Sequence, residues 1–268
     1  MGLSALIPSL LSLAQGTSNY ECDKDGNPHY FPPNYSVSVF FLIIFIFTCL
    51  ATIAFVILYK TGAHKRINTV ETSFSEDEIR QKDDEIEGER TSITGGQFIF
   101  LLFTTALVNA QMNGVVNSVA SYATLPYSEA TYHYSVTLSN VVSPLASYIQ
   151  FFYTVKHIPT LGIMTLCSSI ATGCIVLLAA LSPNWIFNSQ TGGSIFSIGM
   201  SMIAAGLHSY LRVVFASLLR QGNQKESRLF WCGAFIQIGS FVGTAVMFPL
   251  VNFAGIFQSV PPCYSKLH

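Results

Sequence analysis

Four apolar stretches of this chain each retain one row of amide and hydroxyl side chains, and hydrogen-bonding chemistry inside a membrane would be done on those rows. Asn109, Asn113 and Asn117 recur every fourth residue, which covers roughly 80° of a helix at about 100° per residue. Gly114 lies beside them. Thr137, Asn140, Pro144 and Tyr148 share a second face, Ser201, His208 and Arg212 a third, and Gln237, Ser240 and Thr244 a fourth. Pro144 removes a backbone donor and frees a carbonyl, so a bent or broken helix there would open polar backbone to a cavity. An unsatisfied amide or hydroxyl held away from water costs about 1–3 kcal/mol, so these groups face protein or water rather than acyl chains. Neutral donors and acceptors suit an uncharged, hydrogen-bonding solute better than an ion. No Asp or Glu lies within the spans to form a cation-coupling site.

Each of these residues has a second use. Interhelical hydrogen bonds from Asn, Ser and Thr contribute about 0.6–2 kcal/mol, and Gly114, Gly206, Gly233 and Gly239 permit close helix packing. For His208 a satisfied buried imidazole is the simpler reading than a proton relay. For Arg212, near one end of its span, snorkelling to the headgroups competes with a place in a solvated path. The residue types alone leave packing and ligand contact open.

The elements that must carry these rows are six apolar runs, at 38–59, 98–120, 135–154, 160–181, 194–219 and 229–251. The first has no Asp, Glu, Lys or Arg, and as a helix its residues would span about 33 Å, enough for a hydrocarbon core of about 30 Å. Backbone groups in lipid must be satisfied internally and the runs have no period of two, so helices are predicted and strands are not expected anywhere. Residues 1–14 are apolar but too short to span, carry Pro8, and lack the basic start of a signal peptide; they read as the end of a helix. The predicted fold class is an all-α polytopic membrane protein with six full transmembrane helices plus a partial one. Three parts follow: residues 1–59, an acidic linker at 60–96 too polar to bury a core, and five helices with a tail at 97–268.

Half the residues are apolar, a tenth are charged, and the net charge is -1, which offers nothing to attract nucleic acid. The sequence has no CxxC or Cys/His metal spacing, no Gly-rich phosphate loop, and no nucleophile placed with a base. We therefore expect no metal, no cofactor and no enzyme activity.

Basic residues set the orientation, because Lys and Arg of short loops stay on the cytoplasmic side. Lys60, Lys65, Arg66, Arg80, Lys82 and Arg90, then Lys156, then Arg220, Lys225 and Arg228 all fall on one side, whereas the opposite loops hold only Lys24 and Lys266. The linker is thus predicted to be cytoplasmic and the C-terminus extracellular. The sequon at Asn34-Tyr35-Ser36 lies on the outer side, where glycosylation occurs. Cys22 and Cys263 share that side; its redox conditions permit a disulfide between them, which the sequence does not establish.

Particular residues also carry a family resemblance. Asn113-Gly114-Val115, Leu125-Pro126-Tyr127, Tyr132-His133, Val136-Thr137-Leu138-Ser139-Asn140 and Pro144-Leu145-Ala146 occur in order. Leu181-Ser182-Pro183, Ser209-Tyr210-Leu211-Arg212-Val213, Gln237-Ile238-Gly239-Ser240 and Met247-Phe248-Pro249 follow. With Leu3-Ser4-Ala5-Leu6-Ile7-Pro8 at the start, the chain resembles the eukaryotic riboflavin (vitamin B2) transporters over all but the acidic linker. The resemblance implies the C-terminal part of an eleven-helix, major-facilitator-like transporter: the end of helix five, helix six, the central loop and helices seven to eleven, without the first four. It implies riboflavin uptake at the plasma membrane by alternating access, with riboflavin as substrate rather than cofactor. The four N-terminal helices would be needed to complete the translocation site. Relatives with a cysteine after the Ser-Pro pair have Asn184 as its counterpart here, so a tail disulfide of the family's type is not expected.

Riboflavin joins a flat ring with imide edges to a polyhydroxyl ribityl chain. Its recognition calls for amides and hydroxyls plus stacking, and the resemblance points to Asn113, Asn117 and Asn140 as hydrogen-bonding residues, Tyr132 and Tyr148 as stacking or gating residues, and Gln237 as a further polar contact. A carrier of another uncharged solute such as a nucleoside, or a non-transporting receptor-like protein, is the alternative expectation on the same architecture.

Overall fold

Uncharged, apolar sequence becomes helix wherever it runs long enough, as the internal satisfaction of backbone groups requires. The computed structural model describes residues 2–16, 20–23, 28–32, 34–60, 94–184, 189–220 and 225–259. They fall into two compact units, one of Met1–Asn34 with Thr94–His268 and one of Tyr35–Ile93.

The second unit contributes helix α2 (Val37–Lys60), in which no residue is buried. A helix apolar on all sides has no polar face to turn to water, which is the signature of a membrane span. Its two threonines are consistent with that: Thr48 Oγ1 donates to the Ile44 carbonyl (2.9 Å) and Thr52 Oγ1 to the Thr48 carbonyl (2.8 Å).

The first unit begins with α1 (Gly2–Gln15), which ends at Gly16 in the left-handed region (φ 74°). Asn34 caps that end: its backbone N–H donates to the Gln15 carbonyl (3.2 Å) and its side-chain amide to that of Ala14 (3.1 Å). Between them β1 (Tyr20–Cys22) and β2 (Pro28–Tyr30) pair antiparallel, Glu21 opposite His29. This ladder corrects the expectation that no strand would form. The all-helix rule applies only within lipid, and the hairpin lies in a connection between apolar runs.

Then follow α3 (Gly95–Asn109), a π-helical segment (Ala110–Val116), α4 (Asn117–Thr124), α5 (Glu129–Phe152), α6 (Ile158–Leu181), α7 (Gln190–Leu219) and α8 (Lys225–Asn252). Their starts are chemically marked. Gln97 Oε1 accepts from the Thr94 N–H (3.1 Å), Ser128 Oγ from Thr131 (3.0 Å), and Ser189 Oγ from Gly192 (3.3 Å). Helix α5 packs along α7 and carries α1 on another side, α6 packs on α7, and α8 lies against α3 and the π-helical segment. The core joins Val119, Ala123, Ile175, Leu178, Ala204 and Met247 from four of these helices. Tyr210 clasps the connection between α5 and α6, its hydroxyl donating to the Tyr153 carbonyl (3.0 Å) and accepting from the Val155 N–H (3.3 Å).

Among the described residues, Val37–Lys60, Gly95–Thr124, Ile158–Leu181, Gln190–Leu219 and Glu226–Asn252 are long and apolar enough to cross a membrane. That makes five where six were expected. The run at 135–154 lies in α5 up to Phe152, and α5 has the length of α6, but Ser135, Thr137, Ser139, Asn140, Ser143 and Ser147 lower its hydropathy. Of the bent or broken helix expected at Pro144, the break does not occur: helix α5 continues through Pro144, which is buried. The acidic linker lies outside the described residues except at its ends. The same holds for a Cys22–Cys263 pairing, since Cys263 is not among them; Cys49, Cys167, Cys174 and Cys232 are free.

Candidate functional site

The π-helical segment reorganises the first polar row. On a continuous α-helix Asn109, Asn113 and Asn117 would form one stripe; widening the turns to i→i+5 bonding from Ala110 to Val116 breaks that phase. Asn109 is therefore fully buried, its amide donating to the Thr105 carbonyl (2.8 Å), and its Oδ1 has no partner. Asn113 and Asn117 are exposed. This corrects the single asparagine face: one member belongs to the core and two to the surface.

Asn113 donates to Ser240 Oγ of α8 (2.9 Å), and Ser240 Oγ donates to the Ile236 carbonyl (2.9 Å). Asn117 Nδ2 lies 3.4 Å from the Asn113 carbonyl, and Thr244 Oγ1 donates to that of Ser240 (2.9 Å). Gln237, one turn before Ser240 on α8, is exposed. The seam between the π-helical segment and α8 thus carries an exposed polar strip within two otherwise apolar helices. It gathers Asn113, Asn117 and Gln237 of the predicted set, with Ser240 and Thr244.

Close backbone contact makes that seam narrow. A Cβ on Gly239 would overlap the Ala106 carbonyl oxygen, one on Gly243 that of Ala110, and one on Gly114 would meet the Gly243 backbone. The spacing Gly239-x-x-x-Gly243 is the small-residue pattern of closely packed membrane helices. Gly233 departs from the packing expectation, since a Cβ there meets nothing within 4 Å.

The other predicted residues lie on α5. Asn140, Tyr132 and Tyr148 are exposed, the tyrosines at 38% and 41%. Thr137 and Pro144, expected on the same face, are buried, so that face straddles the edge of the α5–α7 packing. Tyr148 has its ring 6.1 Å from that of Phe151. The predicted residues therefore form two groups, one at the seam and one on α5. Ser201 and His208 of the third row are buried in the bundle, and Arg212 is half-buried.

One arrangement was not foreseen in the sequence. Gln111, two residues before Asn113, donates from Nε2 to Ser169 Oγ of α6 (2.8 Å), and its Oε1 lies 3.1 Å from His208 Nε2 of α7. His208 Nε2 is also 3.4 Å from Thr172 Oγ1. An amide oxygen only accepts and the Thr172 hydroxyl donates to the Ser168 carbonyl (3.0 Å), so the network assigns the imidazole proton to Nε2. Only the polar type of Gln111 signalled it, because it falls outside the four-residue row. Among the described residues no group of His, Cys, Asp and Glu could hold a metal ion.

Comparison with known proteins supplies the context for these features. The family model for solute carrier family 52, riboflavin transporter, matches residues 1–259. Riboflavin transporter rft-1 of Caenorhabditis elegans is 62% identical over 98% of this chain and 66% of its own length. Riboflavin transporter rft-2 of the same organism is 54% identical over 99% and 69%. The human solute carrier family 52 riboflavin transporter member 3 is 27% identical over 98% and 68%. The chain thus spans about two thirds of the length of these relatives. No solved structure gives a significant match. A helical bundle of several apolar spans, matched to one family model from its first residue to residue 259, is a multi-pass membrane protein, and the chain belongs to solute carrier family 52, the riboflavin transporters.

Proposed function

We propose that this chain serves the cellular uptake of riboflavin across the plasma membrane, by alternating access, as the C-terminal part of a riboflavin route. The exposed polar strip at the α8 seam carries this reading: amides and hydroxyls stand on the surface of helices otherwise suited to lipid. Lipid offers nothing to the donors and acceptors that these protein bonds leave over, whereas the imide edge and ribityl hydroxyls of riboflavin do. Asn113, Asn117, Gln237 and, on α5, Asn140 are the hydrogen-bonding residues in this reading, and Tyr132 and Tyr148 stack on the ring or gate it. In this reading the strip's partners are helices from the portion of the relatives that this chain does not span.

The same reading takes α5 as a sixth span. Its 24 residues reach about 36 Å, and its polar groups turn largely toward α7 and α1 rather than lipid. The charge pattern then puts the linker in the cytoplasm and the C-terminus outside. Glycosylation of Asn34 follows from that orientation; the shift in gel mobility on glycosidase treatment of the chain from animal cells is expected to vanish in Asn34→Gln. An unchanged shift in that variant, or none in the parent, removes the assignment.

The deciding experiment measures quenching of riboflavin fluorescence by the purified chain in nanodiscs. Saturable quenching, unaffected by excess nucleoside, is expected. Asn113→Ala loses one hydrogen bond to the ligand and is expected to weaken it about tenfold, while the thermal midpoint falls by no more than the loss of the Ser240 bond requires. Displacement by nucleoside would reassign the substrate, and a lowered midpoint with unchanged affinity would make Asn113 a packing residue.

A further inference from the structure

We propose that Gln111 is a positioning residue for the riboflavin site: clamped between His208 and Ser169, it holds the π-helical segment so that Asn113 stands outward against Ser240. This rests on the riboflavin reading above for its consequence, though not for its geometry.

A π-helical run has poorer backbone bonding than the α-helix it interrupts and persists where side chains support it. Three supports act on this one. Two of its carbonyls accept from side chains, Gly114 from Ser118 Oγ (2.7 Å) and Asn113 from Asn117 Nδ2 (3.4 Å). Gly114 is seated against the Gly243 backbone of α8. On the inner side the Gln111 amide uses both its ends, donating to Ser169 of α6 and accepting from His208 of α7.

His208 is 1% exposed and lies on a helix anchored by Leu211, Val214 and Phe215, all fully buried, so its imidazole is a fixed point rather than a mobile partner. Residues two apart project to opposite sides of a helix, so fixing Gln111 inward fixes Asn113 outward. Without the clamp the segment can revert toward i→i+4 bonding, and everything after it rotates relative to α8. Asn113 would then lose its register with Ser240, and the polar strip its continuity.

The first test uses neither ligand nor transport. Cysteines at Asn113→Cys and Ser240→Cys, in the full chain, are expected to cross-link under mild oxidation, because the two side chains meet across a seam where the backbones touch at Gly114 and Gly243. Gln111→Leu, similar in size but without the amide, is expected to slow cross-linking about tenfold. Gln111→Glu, which as the protonated acid keeps a donor for Ser169 and an acceptor for His208, is expected to restore the parent rate. If Gln111→Leu does not fold, Ser169→Ala removes only one acceptor and is expected to slow the reaction in the same direction. Equal rates in all of these, or no cross-link in the parent pair, overturns the proposal.

The second test is a double-mutant cycle on riboflavin quenching. Gln111→Leu is expected to weaken binding about tenfold in the parent and less than about twofold in Asn113→Ala, because its effect passes through Asn113. Equal losses in both backgrounds would make Gln111 a merely structural residue. Absence of quenching by the parent chain would sink the riboflavin reading alone and leave cross-linking to decide the role of Gln111.

Discussion

Gly243→Leu is expected to destabilise the bundle by about 3 kcal/mol or more, the upper range for forcing side-chain volume into a closed contact. The first atom it adds would already overlap the Ala110 carbonyl oxygen, and the opposing atoms are helix backbone, which cannot swing aside as a side-chain tip can. Gly239→Leu meets the Ala106 backbone in the same way, its Cβ 2.7 Å from the Ala106 Cα. To make room α8 must move off α3 and the π-helical segment, which also separates Asn113 from Ser240. The measurement is the thermal midpoint of the detergent-solubilised chain, followed by size-exclusion chromatography. Gly233→Ala is the internal control: a Cβ there meets open space, and exchanging glycine for alanine within a helix contributes about 0.5–1 kcal/mol of stability. A leucine at 243 that leaves the midpoint unmoved would mean that α8 does not approach α3 through its glycines.

Phe215→Ala is expected to produce the next largest loss. Phe215 is the largest of the fully buried side chains among the described residues, and Leu211, Val214, Leu218 and Leu219 around it on α7 are buried too. In a water-soluble protein such a truncation costs about 3–5 kcal/mol, from lost transfer free energy and from the cavity left behind. In a bilayer the transfer part largely disappears, because lipid is as apolar as the helix interior, and the lost packing remains. About 2 kcal/mol is therefore expected, read as a lowered midpoint in nanodiscs, with Phe215→Leu recovering most of it. A full loss matching that of soluble proteins would indicate that the unfolded reference exposes this helix to water.

The seam and the α7 core differ in how they can be found in a sequence. Gly239 and Gly243 carry a recognisable pattern, yet Gly233, six residues earlier on the same helix, belongs to the same composition and touches nothing. Spacing says which residues share a face; it does not say whether another helix lies on it. Asn109 makes the same point among polar residues. Its four-residue interval from Asn113 promised a common stripe, and a π-helical run that no residue type announces turned one inward and the other outward. In α5 the sequence carried enough apolar character to mark a helix, but its hydroxyl content concealed whether it spans.

What the sequence determined by itself is what depends on local chemistry and length: runs free of charge, long enough for a bilayer, that must be helical because lipid leaves the backbone no other partner. It also determined the family, since 62% identity to a relative over nearly the whole chain needs no coordinates to be recognised. The tertiary structure decided which polar groups are buried between helices and which stand at the surface. Gln111 turned inward between α6 and α7 and Asn113 outward beside Ser240 of α8 because different helices meet the two sides of that segment, and that is a property of packing between distant parts of the chain.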